Sequence, residues 1–204
     1  MPPTKPKSRP RARRLDPAER RAELLACAMR VFARRGLSGA RHAEIAREAG
    51  VSVPTVFFYF PTRAALVQAV LDEVARFLTA MAERIHASDR PAPDVVLEHA
   101  RAFADSVSTR PDYARVFLDW TTAMREEVWP LYLEFQERMV VIIARTIRRW
   151  RIETGRGGAA DAEDDARLIV GSAHMVAQMK FTRVPHDKLD RFLQTMVRDA
   201  LGVK

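Results

Sequence analysis

The side chains whose number and placement point to chemistry in this chain are its cations. Residues 1–63 hold 14 Lys and Arg against 5 Asp and Glu, whereas the rest holds 20 against 21, so the whole +8 excess sits in the first third. A charge that served solubility alone would be spread over the surface. A basic segment joined to a near-neutral body is instead the footprint of a module that neutralises a polyanion. Nucleic acid is the leading partner. An acidic membrane surface is the competitor, but the helical stretches that follow lack the one-sided Lys/Arg face with Trp or Phe opposite that such binding needs.

Catalytic chemistry finds little support. The five histidines, at 42, 86, 99, 174 and 186, show no metal-ligand spacing, and there is no P-loop, dinucleotide fingerprint or nucleophile elbow. Carboxylate pairs such as Glu126-Glu127 and Asp164-Asp165 fall near expected helix starts, where the helix dipole favours negative charge. The expectation is therefore a protein that is not an enzyme, with no catalytic residue, metal or cofactor. The single Cys27 lies within an apolar helical pattern and reads as a buried, inert thiol. With no apolar run long enough for a membrane span and no signal-peptide pattern, the expected location is the cytoplasm. A helical adaptor that binds only other proteins would explain the second half of the chain but not the segregation of charge.

The elements that must position these cations read as helices throughout. Met1 to Arg14 has four prolines, six cations and no acid, which suits a mobile basic arm. Asp16, Pro17 and Glu19 form an N-cap and capping-box pattern for a first helix with Leu24, Leu25, Ala28, Met29, Val31 and Phe32 as its apolar face, and Gly36 as its stop. A short second helix runs from His42 to Ala49 and stops at Gly50; Ser52 caps a third, closed by Pro61. Thr62 caps a long fourth helix to about His86. Further helices are expected over 94–108, 111–125, 127–153, 162–181 and 187–201. The expected fold class is all-α, with a basic arm over 1–14, a three-helix DNA-binding domain over 15–63, and a helical domain over 64–204.

A short helix, a glycine turn and a second short helix place Ile45, Ala46, Val51 and Val56 inward and project the start of the third helix toward a major groove. Thr55 suits a base edge or phosphate, Tyr59 a phosphate, and Phe58 a thymine methyl, while the backbone amides near Thr62 and Arg63 suit a phosphate oxygen. His42, Ser52 and Val53, at the starts of the two short helices, complete the candidate DNA-facing set. Phe57 and Phe60 are expected in the core, and Phe58 and Tyr59 outside it.

These residues resemble the TetR family. The segments Phe32-Ala-Arg-Arg-Gly36-Leu, His42-Ala-Glu-Ile-Ala, Val51-Ser-Val-Pro-Thr-Val-Phe57, Tyr59-Phe-Pro-Thr-Arg63 and Trp120 to Leu131 are similar to the quorum-sensing master regulators of the LuxR/HapR type within it. The resemblance implies that 64–204 is a helical regulatory and dimerisation domain, and that the protein is a homodimer that binds a partly palindromic operator, repressing some promoters and activating others. It also implies that Arg9, Arg11, Arg13 and Arg14 reach the neighbouring minor groove. Phe58 stands where those regulators usually carry a base-contacting Asn, so operator preference does not transfer.

The second half is rich in large adaptable side chains. By resemblance, Leu78, Met81, Trp120, Met139 and Ala173 fall near positions bordering a ligand-sized pocket. Phe77, Phe103 and Met124 extend that apolar set, and His174 or Gln178 would add polar groups for a small hydrophobic molecule. The same side chains also suit a packed core. Along the last two helices, Gly171 and Ala177 offer small side chains, and Phe192, Leu193, Met196 and Val197 an apolar stripe. Two copies would form a four-helix interface, unless both stripes are used within one chain.

Overall fold

The computed structural model describes residues 16–123, 127–156 and 162–203. Among them the chain forms nine α-helices and no strand. The arm with Arg9, Arg11, Arg13 and Arg14, and Met124, lie outside the described residues.

Helix α1 (Pro17–Gly39) starts on a capping box: the Asp16 carboxylate accepts from the Glu19 amide at 2.9 Å and the Glu19 carboxylate from the Asp16 amide at 3.1 Å. Its positions 24, 27, 28, 31 and 32 recur at helical spacing and are buried, Cys27 among them. The expected stop at Gly36 is a break inside the element, with φ 74° and ψ 169°, after which one more turn forms. Helices α2 (His42–Ala49) and α3 (Val53–Tyr59) are joined through Gly50 in the left-handed conformation. Ser52 caps α3 and Thr62 caps α4 (Arg63–His86), each hydroxyl accepting an amide of the first turn.

The body contains α5 (Ala92–Thr109), α6 (Pro111–Thr122), α7 (Trp129–Thr154), α8 (Ala162–Phe181) and α9 (His186–Leu201). Three starts shift by one or two residues from expectation because prolines set them: Pro91 precedes α5, Pro130 falls in the first turn of α7, and Pro185 precedes α9. Helix α6 ends at Thr122, not Arg125.

One apolar cluster runs from Leu24 and Phe32 of α1 through Leu66, Val70 and Leu78 of α4 to Trp120, Met139 and Leu193 of the body. The head is thus built onto the body through α4 rather than hung from it. A second cluster, around Val140, Ile147, Trp150, Ala166 and Val197, locks the far end of α7, α8 and α9. There Arg151 of α7 meets Asp165 of α8 in a largely buried ion pair. No helix among the described residues is long and apolar enough to cross a membrane.

Candidate nucleic-acid interface and body cavity

Helix α3 is two turns long and has one buried residue, Val56, with Phe60 buried at its cap. Burying such side chains contributes about 1.5–3 kcal/mol each, so these two anchor the helix and leave its outer side free. That side carries Val53, Pro54, Phe57 and Phe58, with Phe58 77% exposed. Thr55 is half-buried and its hydroxyl lies 2.8 Å from that of Ser52, so both hydroxyls serve the cap as well as facing outward. Tyr59 is half-buried with its ring edge-on to Phe58.

Two expectations are corrected here. Phe57 is 46% exposed rather than core, because α3 is too short to bury two successive residues and Val56 occupies the inward position. His42 is buried: its Nε2 lies 2.8 Å from the Phe60 carbonyl and its ring stacks on Phe57 at 4.1 Å, so its side chain ties α2 to α3 instead of facing a groove. The Arg63 guanidinium likewise turns inward, donating to the Leu37 carbonyl, and the Thr62 hydroxyl is the α4 cap. Arg30 and Arg34 of α1 grip Glu48 of α2 at 2.8 and 2.6 Å, and Arg35 grips Glu44 at 2.9 Å. The Arg30 and Arg34 hydrogen bonds hold the Glu48 carboxyl below the usual range. These cations pin helices together.

The head meets the body at Leu37. Its amide donates to the Asp119 carboxylate of α6, while its carbonyl accepts from Arg63 at the start of α4. Gly36 lies so close that a Cβ there would come 3.2 Å from Asp119 Oδ2.

In the body, Leu78, Met81, Phe103, Met139 and Ala173 line a cavity of about 60 Å³ together with Phe117, Phe135, His99, Tyr132, Ser172 and Met196. Its walls are overwhelmingly apolar. Four residues expected on them are elsewhere. Phe77 packs outward against Tyr113 and beneath Arg110. Trp120 is buried with its Nε1 donating to the Val128 carbonyl at 3.1 Å, and it borders a separate groove with Asp72, Thr79 and Glu134. Chiefly through burial, the Asp72 carboxyl is raised there. His174 lies 3.1 Å from the Thr121 hydroxyl, and Gln178 is exposed. These side chains sit on other faces of helices that do reach the cavity.

Of the residues expected at a dimer face, Ala177, Leu193 and Val197 are buried within the chain, and Met196 is half-buried, its sulfur 2.7 Å from the Ser172 hydroxyl. Gly171 is exposed and Phe192 half-buried. The stripe on α9 is therefore used mostly intramolecularly. Outward on α8, Leu168 and Met175 are exposed on either side of Gly171.

His99 was the unforeseen part of the cavity. It meets His86 from α4, which in turn meets Thr146 from α7, a chain no sequence spacing encodes. Burial pushes the His86 imidazole down to about 3 and the His99 imidazole to about 4, so both are neutral near pH 7.

Residues 24–70 match the sequence model of the bacterial regulatory proteins of the tetR family. The chain carries a TetR-family helix-turn-helix domain. It is 41% identical over 126 residues to the HTH-type transcriptional regulator LuxR of Vibrio harveyi, a match spanning 61% of this chain and 60% of that protein. The TetR-like fold extends further than the sequence match. Salmonella enterica GusR superposes with a TM-score of 0.77 at 18% identity, covering 94% of this chain and 100% of the other. A TetR-like regulator from Rhodococcus sp. RHA1 gives 0.76 at 19%, with 94% and 100% covered. Bacillus subtilis FadR in complex with stearoyl-CoA gives 0.73 at 15%, with 88% and 97% covered. The matched family is one of bacterial regulatory proteins, and the Vibrio harveyi relative is a transcriptional regulator.

Proposed function

We propose that this protein is a cytoplasmic, homodimeric regulator that reads a palindromic operator, of the quorum-sensing master-regulator type, and is modulated by a small hydrophobic ligand in the body. The observation that carries the reading is α3: anchored by Val56 and Phe60, it leaves Val53, Phe57 and Phe58 projecting from a TetR-family head. Thr55, Tyr59 and the α4 N-terminus at Thr62 and Arg63 supply phosphate contacts beside it, and the arm bearing Arg9, Arg11, Arg13 and Arg14 supplies charge. The reading as a master regulator of cell-density responses is supported by the similarity to LuxR.

Dimerisation is assigned to the outward face of α8, where Leu168, Gly171 and Met175 recur at helical spacing next to the half-buried Phe192 of α9. Two heads then present two recognition helices about 34–36 Å apart, one DNA turn. Ligand modulation is supported by the apolar cavity and by FadR, a similar fold seen with stearoyl-CoA. Selection of bound sites from random duplex DNA by the full-length chain tests the proposal. A twofold-symmetric site is expected, with binding that weakens steeply as salt rises. Uniform weak affinity for every duplex would overturn it, and an asymmetric single half-site would overturn the dimer.

A further inference from the structure

The chemistry that the cavity recognises follows from its one well-buried polar wall residue, and rests on the ligand-cavity reading above. We propose that His99 is the polar anchor of the cavity, holding the hydrogen-bonding group of an otherwise apolar, uncharged occupant that carries a single hydroxyl or carbonyl. Of the three polar residues on the wall among the described residues, Ser172 already donates its hydroxyl to the Ile169 carbonyl at 2.6 Å, and Tyr132 is only half-buried. His99 is 7% exposed. Its Nδ1 lies 3.1 Å from Nε2 of His86, and Nδ1 of His86 lies 2.8 Å from the Thr146 hydroxyl. Nothing among the described residues hydrogen-bonds the remaining nitrogen, His99 Nε2, which leaves it for an occupant.

The relay behind His99 makes this anchor reversible. In one arrangement the Thr146 hydroxyl donates to His86 Nδ1, His86 Nε2–H donates to His99 Nδ1, and His99 Nε2–H donates to a carbonyl in the cavity. In the other, a hydroxyl in the cavity donates to bare His99 Nε2, His99 Nδ1–H donates to His86 Nε2, and His86 Nδ1–H donates to the Thr146 oxygen. Each imidazole keeps one proton in both cases, so both rings change tautomer together. A carboxylate occupant is disfavoured, because no Lys or Arg among the described residues lines the wall and burial opposes a charged His99. The relay also spans three helices, α4, α5 and α7, and α4 is the helix that begins at the head.

The test uses the full chain with nitrogen-15-labelled histidine and three probes of similar size: cyclohexanone, phenol and toluene. Cyclohexanone is expected to shift His99 and His86 together to the Nε2–H form, phenol to shift both to the Nδ1–H form, and toluene to bind without biasing either. In His99→Leu, affinity for phenol and cyclohexanone is expected to fall about fivefold or more, with toluene within about twofold. If toluene binds but phenol and cyclohexanone leave the tautomers alike, or if H99L affects all three probes equally, the anchor is overturned and the cavity reading stands. If none of the probes binds, both are overturned. Should H99L fail to fold, the tautomers of the unaltered protein decide alone.

Discussion

The backbone of Leu37 is held at two points, by Asp119 of α6 on its amide and Arg63 of α4 on its carbonyl, and this clamp yields a quantitative prediction. Leu37 itself is 4% exposed, so its amide has little access to water once its partner is removed. Asp119→Ala should therefore cost about 2 kcal/mol, the ordinary worth of a hydrogen bond to a charged acceptor plus an orphaned buried donor. For a chain of this size that lowers Tm by about 4–8 °C. Asp119→Asn keeps an oxygen acceptor without the charge, and should lose about half as much.

Gly36 gives an independent check. Its φ of 74° with ψ of 169° belongs to a region almost closed to residues with a Cβ, at a cost of about 1–3 kcal/mol, and the added carbon would meet Asp119 Oδ2 at 3.2 Å. Gly36→Ala should thus be destabilising, and less so in the D119A background, because the crowding disappears with the carboxylate. Urea unfolding of the two single variants and the double variant measures this as a coupling energy. Equal stability of D119A, D119N and the unaltered chain would refute the clamp, and strict additivity of G36A with D119A would refute the crowding.

Three other outcomes are expected. Phe58→Asn should leave stability within about 0.5 kcal/mol, since the ring is 77% exposed, while changing the site selected from random DNA; an unchanged site would remove Phe58 from base reading. Deleting residues 1–14 removes six cations and should reduce the slope of log affinity against log salt by about 0.9 for each phosphate that the arm neutralises, whereas an unchanged slope would rule out a DNA role for the arm. His86 and His99 have folded values of about 3 and 4 against an ordinary 6.5, so on acidification the unfolded chain takes up their protons first. Stability should fall as pH drops below 6.5 and keep falling to about 4–3, by about 2 kcal/mol per histidine at pH 5, and the double variant H86N/H99N should flatten that dependence if the assignment holds.

What was legible in the sequence was local. Asp16 with Glu19, Ser52, Gly50 and Thr62 announce their caps through backbone needs that depend on a few neighbours, and α2 and α8 begin and end where the pattern places them. The choice between two faces of one helix was not local. Leu193 and Val197 form the kind of stripe that suits a partner copy, yet α9 turns that stripe into its own body, while the outward apolar residues Leu168 and Met175 lie on α8. Phe57 and Val56 are both apolar neighbours, yet the short α3 turns Val56 inward and leaves Phe57 46% exposed with one face on the His42 ring. The cavity's apolar wall was partly visible as Leu78, Met81, Phe103, Met139 and Ala173. Its polar member was not, because His86, His99 and Thr146 come from three helices.

The positions of clamp and cavity bear on how a ligand would be felt at the DNA. Helix α6 carries Phe117 on the cavity wall and Asp119 on the Leu37 amide, two residues apart in a rigid helix. Helix α4 carries Arg63 on the Leu37 carbonyl at its start, and Leu78 and Met81 on the cavity wall further along. The cavity is small, so an occupant of useful size must displace wall residues rather than fill existing space. Any displacement that separates α6 from α4 pulls on the amide and the carbonyl of a single residue, and the chain after Leu37 runs within five residues into α2. A ligand would therefore act on the heads in proportion to the difference it makes between α4 and α6, and one that moved both helices together would bind without regulating.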